Sequence, residues 1–208
     1  MTENLKRAIS GFLYIVIMWL AASYSESSYT LLFAALGSMS LYEMWLLRKS
    51  KSKLLAISYI IIPFFLIHDI NYLEKEFDPS IILFMFLLTW TFDSFAYLFG
   101  INFGKNKIMP KISPKKSWEG FIGGYFFTII ASYLSCSYFE FTSIKYALII
   151  SIILPFTATL GDFIISFYKR KAGVKDSGKL IPGHGGILDR MDAFIITIPV
   201  IYLIINFL

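Results

Sequence analysis

Seven apolar runs follow one another along the chain, over residues 9–24, 29–47, 54–67, 81–100, 118–138, 146–168 and 188–208. Most approach the roughly 20 residues that an α-helix needs to cross a hydrocarbon layer. No heptad pattern, internal repeat or low-complexity tract interrupts the series. The pattern predicts an all-α polytopic membrane bundle of about seven transmembrane helices, a single integral membrane domain over residues 1–208. Run 54–67 is short enough that a tilted or incomplete crossing would also explain it. Several Tyr and Trp residues sit at run ends, as interfacial anchors do.

Composition agrees with this picture. The chain is 57% apolar and 16% charged, too few charges for a soluble domain and too many apolar residues for one core. The connections carry the charge. Lys6 and Arg7 precede the first run, and Arg48, Lys49, Lys51 and Lys53 follow the second. Lys105, Lys107, Lys111, Lys115 and Lys116 follow the fourth; Lys169, Arg170, Lys171, Lys175, Lys179 and Arg190 follow the sixth. Of the 19 Lys and Arg, Lys75 and Lys145 alone fall in the other connections. The positive-inside rule then puts the N-terminus and these basic loops in the cytoplasm and the C-terminus outside. Basic loops facing an anionic leaflet account for the net charge of +5, so no nucleic-acid partner is implied. Lys6-Arg7, the apolar stretch and Ala21-Ala22 look like a signal peptide, but further runs follow, so an uncleaved signal anchor is expected. Cys136 is the single cysteine, which excludes an internal disulfide.

Two acids lie deep inside runs. Asp93 in WTFDSFAYLFG and Asp162 in TATLGDFIISFYKR each sit roughly 10 Å from the cytoplasmic end of their helix. A charged Asp costs on the order of 3 kcal/mol at the centre of a span and less near an end. A neighbouring Lys could compensate each one singly. Two acids at similar depth near the same face also suit one water-filled cavity open to the cytoplasm. Glu43 is explained as well by pairing with Arg48 as by a functional role. Asp189 and Asp192, three apart at the start of the last run, share a helix face at the positive end of its dipole. Capping accounts for one of them, but not for the polar stretch KDSGKLIPGHGG just upstream, with Lys175-Asp176, His184 and Gly185-Gly186.

Carboxylates converging in a wet cavity suit a hard cation such as Mg²⁺. The single Cys and the lack of a His cluster argue against zinc. Lysines and arginines beside such a cation suit phosphates, and glycines let backbone amides approach an anion closely. Together these parts describe metal-assisted phosphoryl or nucleotidyl transfer. No GxxxxGK[ST] loop is present. A second stretch, FGKNKIMPKISPKKSWEGFIGG, puts Lys115, Lys116 and Ser117 just before a predicted helix start, where lysines can hold phosphate oxygens. Contact with anionic lipid explains the same lysines.

SFYKRKAGVKDSGKLIPGHGGILDRMD, residues 166–192, resembles the signature of the phosphatidate cytidylyltransferases, or CDP-diacylglycerol synthases. That signature has a Ser, then Lys-Arg, Lys-Asp, His-Gly-Gly and Asp-Arg-x-Asp; Tyr168 departs from its usual aliphatic residue or Phe. Asp93 with AYLFG and the stretch ISPKKSWEGFIGG, where Ser117 stands for a common Thr, resemble the same family. The resemblance covers residues 93–192; residues 1–80 match only as spans, and the catalytic part is expected in 81–208, with cytoplasmic loops 101–117 and 169–188.

The resemblance implies that CTP and phosphatidic acid give CDP-diacylglycerol and pyrophosphate, with Mg²⁺ and a second cation, K⁺. It implies Asp162, Asp189 and Asp192 as metal ligands. Lys175, Arg190, Lys115 and Lys116 would contact triphosphate or phosphatidate oxygens. Ser117, Glu119, Ser166, Lys169, Arg170, Asp176, Gly185 and Gly186 complete the implied substrate set, with Asp93 in the cavity wall. His184 would contact phosphate, act as an acid or pin the loop. The implied setting is a bacterial inner (plasma) membrane, with membrane lipids as surroundings and homodimerisation left open. A CTP-dependent polyprenol or phytol kinase is the nearest rival, and a transporter of a phosphorylated metabolite is the non-enzyme alternative.

Overall fold

The computed structural model of the protein describes residues 3–48, 53–70, 76–139, 144–181 and 185–207, with side chains from Ile9 onward. His184, Lys49, Lys51 and Lys75 lie outside the described residues. Seven helices form among the described residues: α1 (Glu3–Tyr24), α2 (Glu26–Leu47), α3 (Leu54–Ile70), α4 (Ser80–Phe103), α5 (Trp118–Ser135), α6 (Ile144–Lys171) and α7 (Leu188–Phe207). Each coincides with one of the apolar runs. Three of them, α2, α4 and α6, are long and apolar enough to cross a membrane by length and composition, while Ile9–Tyr24 and Leu54–Ile70 are shorter apolar helices. Every helix leaves large apolar side chains exposed, among them Phe12, Leu31, Phe65, Ile101, Phe126, Leu160 and Leu203. An apolar exterior of that extent belongs in lipid.

Two expectations need correction. The basic loop after α4 is not irregular throughout: β1 (Lys107–Met109) and β2 (Ser113–Ser117) pair antiparallel, with an irregularity in the register between Lys107↔Ser117 and Met109↔Ser113. Lys169 and Arg170 fall in the expected loop 169–188, yet α6 runs on to Lys171, so both side chains project from a helix. The last turn of α6 holds Lys169, Arg170 and Lys171, which suits the negative end of the helix dipole.

Short connections keep neighbours antiparallel. Ser25 alone separates α1 from α2; its side chain accepts a bond from the Ser28 amide, and the Ser28 side chain accepts one from the Ser25 amide. Inside the bundle a few hydroxyls tie helices together. Tyr29 donates to the Ile67 carbonyl at 2.8 Å, Ser132 to the Ala147 carbonyl at 2.9 Å, and Thr157 and Thr197 share a bond at 2.8 Å. In a lipid-facing bundle such bonds and close packing, rather than water exclusion, hold helices together.

Glycine lets two helix pairs close fully. α4 packs most extensively on α5, and α6 on α7. At Gly124 a Cβ would come within 2.7 Å of the Phe92 ring, and at Gly123 it would collide with Phe99. Gly161 lies against the Asp192 carbonyl with no room for a Cβ. Since Gly161 precedes Asp162, this crossing sets the two acids side by side. Gly161→Ala is expected to lower stability by about 1–3 kcal/mol through overpacking, read as a lower unfolding midpoint of the detergent-purified protein.

Candidate active site

The charged residues of four helices and the hairpin meet at one end of the bundle, where α2, α4 and α6 finish and α5 and α7 begin. Asp162, from α6, faces two partners. Lys116 of β2 places its Nζ 2.8 Å from Asp162 Oδ2. The Asp192 carboxyl of α7 lies within hydrogen-bonding reach of Asp162. The Ser166 hydroxyl, one turn on, is 3.4 Å from Asp162 Oδ1, a long contact. Burial works against the charge on Lys116, but Asp162 beside it, with Asp93 and Asp192 behind, outweighs that cost and holds its pKa above the ordinary lysine value.

Asp189 is satisfied differently. Its Oδ1 takes the Lys169 ammonium at 2.6 Å, and its Oδ2 accepts from the amides of Ser177 at 2.8 Å and Gly186 at 3.0 Å. Both ends of the 177–186 stretch are thus drawn to the first turn of α7. Gly185, with φ of +83°, makes the turn that brings the Gly186 amide round, and its backbone bonds Ile181. The Asp189 carboxylate fills the place of a Cβ on Gly185, 2.5 Å from it.

Two cavities meet at Asp93, which lines both. The smaller, of about 210 Å³, is walled by Tyr14, Asp189, Arg190 and Asp192. The larger, of about 610 Å³, lies between α4, α5 and the hairpin; Lys107, Lys115, Lys116 and Ser117 are at its polar end, with Phe92, Tyr97, Ile101 and Phe121 along its apolar wall. The polar end is held in shape locally. Ser117 caps α5 by accepting from the Gly120 amide at 3.2 Å, and the Trp118 amide donates to the Asn106 carbonyl at 2.9 Å. Glu119 accepts from the Asn106 side-chain amide at 2.8 Å and from its backbone, closing the hairpin onto the helix.

The structure therefore brings together Asp93, Lys115, Lys116, Ser117, Asp162, Asp189, Arg190 and Asp192. Lys175 and Asp176 are exposed on the loop, and Arg170 is exposed and donates to the Val174 carbonyl at 2.9 Å. Among the described residues no group of three or more His, Cys, Asp and Glu side chains is close enough to hold a metal ion by itself. Asp162 and Asp192 offer the oxygen donors of a hard-cation site. Mg²⁺ commonly takes one or two carboxylates and completes its shell with water and substrate phosphates, so such a pair fits it.

Glu43 is the residue the sequence placed least well. It does not pair with Arg48 in the manner expected: it is buried, and its carboxylate accepts from the Ser177 hydroxyl at 2.6 Å and from the amides of Ile187 at 3.0 Å and Leu188 at 2.9 Å. The signal that could have found it is an acid within an apolar run, near the same end as the other acids. Tyr14 of α1, in the wall of the smaller cavity, carried no signal beyond being an aromatic in an apolar helix.

Lys169→Met is expected to destabilise by about 3–5 kcal/mol, because it strands a carboxylate whose pair is 10% and 6% exposed. Lys116→Met, from a pair 31% and 22% exposed, is expected to cost clearly less. Parallel unfolding of the two variants in one detergent checks the ranking.

Residues 50–208 match the pattern that describes the cytidylyltransferase family. The chain is 36% identical over 203 residues to the phosphatidate cytidylyltransferase of Rickettsia typhi, covering 94% of this chain and 89% of the relative. It is 36% identical over 207 residues to that of Rickettsia felis, covering 95% and 90%. It is 40% identical over 153 residues to that of Staphylococcus saprophyticus, covering 73% of this chain and 57% of that longer relative.

Proposed function

The chain belongs to the cytidylyltransferase family, and from this premise we propose that it joins CTP to phosphatidic acid, giving CDP-diacylglycerol and pyrophosphate. The observation that carries the reading is the meeting of Asp93, Asp162 and Asp192 with Lys116 where an apolar-walled cavity joins an acid-lined one. Phosphatidate is a bilayer lipid whose phosphate sits at headgroup level, whereas CTP arrives from water. The larger cavity suits the lipid: its aromatic wall accepts the glyceride and Lys115, Lys116 and Lys107 meet the phosphate. The smaller suits the triphosphate, with Arg190 in its wall as a donor.

A phosphatidate oxygen attacks the α-phosphorus of CTP and forms the new P–O bond. The bond from that phosphorus to the α–β bridging oxygen breaks, and pyrophosphate leaves with the electron pair. Asp162 and Asp192 would hold Mg²⁺, which when bound neutralises charge on the phosphates. Asp189 is a third candidate, since among the described residues Oδ1 accepts from Lys169 alone and retains a lone pair; K⁺ is the proposed second cation. Lys116 and Arg190 orient the two phosphates for in-line approach. Lys175 and Asp176 stand at the solvent side of the loop, where nucleotide would pass.

Seven membrane crossings, with the N-terminus and site on the cytoplasmic side of an inner membrane, complete the proposal. Support comes from the sequence, where the basic connections follow α2, α4 and α6, the helices that finish at the site.

The purified protein is expected to incorporate label from [α-³²P]CTP into lipid in the presence of Mg²⁺ and phosphatidate. Label entering lipid from [γ-³²P]CTP instead would identify a kinase. Asp162→Asn and Asp189→Asn are each expected to lower turnover by about 10²-fold or more while the protein still inserts and purifies. Near-normal product from either variant would remove it from the catalytic centre.

A further inference from the structure

Helix α2 precedes the residues that match the family pattern, and its composition marks it only as a span. Its Glu43 nevertheless reaches the loop that precedes α7. The carboxylate there is enclosed rather than merely bonded. Oε2 accepts from the Ser177 hydroxyl and the Leu188 amide, and Oε1 from the Ile187 amide. Gly178 and Gly186 press on it from two sides, and a Cβ on either would collide with a carboxylate oxygen. Three donors and two glycines thus form a fitted socket. One partner is at the start of the loop and two are at its end, so a single rigid group joins both ends.

We propose that Glu43 is a positioning residue for the nucleotide loop, holding it closed against α7 from a helix outside the signature region. Its leverage comes from where the bonds fall. The first amides of a helix have no partner within the helix, and here Glu43 supplies an acceptor for the Leu188 and Ile187 amides. The negative charge is favourable at that end of the dipole. Those amides immediately precede Asp189, Arg190 and Asp192, so the bonds fix the direction in which the first turn presents its acids. On the other side, Ser177 donates its hydroxyl to Glu43 and its amide to Asp189. Glu43 and Asp189 therefore grip one residue together, and loosening either frees the 175–186 stretch. Glu43 touches no substrate-facing cavity that Asp93 or Asp192 lines; it acts through the loop.

The kinetic part of this claim rests on the proposed CTP reaction, whereas the conformational part does not. The test uses full-length protein carrying Glu43→Gln, Glu43→Ala or Ser177→Ala, each at a temperature well below its unfolding midpoint. Lys175 and Lys179 are exposed on the loop and report its opening by trypsin cleavage, followed by mass spectrometry. Glu43→Gln keeps shape but turns an amide toward donors; it is expected to speed cleavage at Lys179 and to raise KM for CTP by about tenfold, the effect of losing one hydrogen bond to a charged group, with kcat reduced less. Ser177→Ala is expected to act in the same direction, and its effect is expected to be less than additive with Glu43→Gln. If Glu43→Ala fails to fold, the other two variants decide. A folded Glu43→Gln whose cleavage rate and KM both stay within twofold of the parent would overturn the proposal. If the parent makes no CDP-diacylglycerol, the functional reading falls, and the cleavage rates still judge Glu43.

Discussion

Carboxylates set into the end of an apolar bundle can stay charged only if donors meet them there. Most of the local architecture follows from this requirement. Asp162 is met by Lys116 from a hairpin that lies between two helices. Asp189 is met by Lys169, about two turns beyond Asp162 on the same α6. The helix itself carries the cation to that depth, and the loop amides of Ser177 and Gly186 meet the other carboxylate oxygen. Glu43 is met entirely by amides and a hydroxyl. Each acid is answered from a different element, so the charges act as cross-links among α2, the hairpin, α6 and α7 as well as candidates for chemistry.

Those pairings require the helices to come unusually close, and glycine makes that approach possible. At Gly161 the α7 backbone takes the place of a side chain, which brings Asp192 beside Asp162. At Gly120, Gly123 and Gly124 the α4 side chains and backbone do the same for α5. Because α5 starts directly after Ser117, its tight seat on α4 also fixes where Lys115 and Lys116 leave the hairpin. Packing and site geometry are one constraint here: widening either crossing would separate the charges it aligns.

The sequence made the helices legible because an apolar run is a local property, and each run became a helix with ends close to those expected. Asp93 and Asp162 were legible for the converse reason, as charges where lipid solvation is costly, and Asp189 and Asp192 by their shared face at a helix start. The hairpin was hidden because its strands are short and rich in Lys, Ser and Pro, which give little strand signal, while Asn106 and Glu119 close it onto α5. Glu43 was hidden because its partners are far along the chain, Ser177 foremost. Arg48 was simply the nearest cation in sequence, and nearness in sequence does not report which end of a helix packs on which loop.

The socket at Glu43 also bears on how the chain divides. The family pattern covers residues 50–208, which would make α1 and α2 supporting spans. Yet α1 contributes Tyr14 to the acid-lined cavity, and α2 contributes the carboxylate that closes the loop. A core that lacked them would leave the Ser177 hydroxyl and the Ile187 and Leu188 amides without their acceptor at the first turn of α7, where unsatisfied donors are most costly. Both N-terminal helices therefore belong to the same packed unit as the signature region, α2 tied to it by hydrogen bonds and α1 by packing on α4.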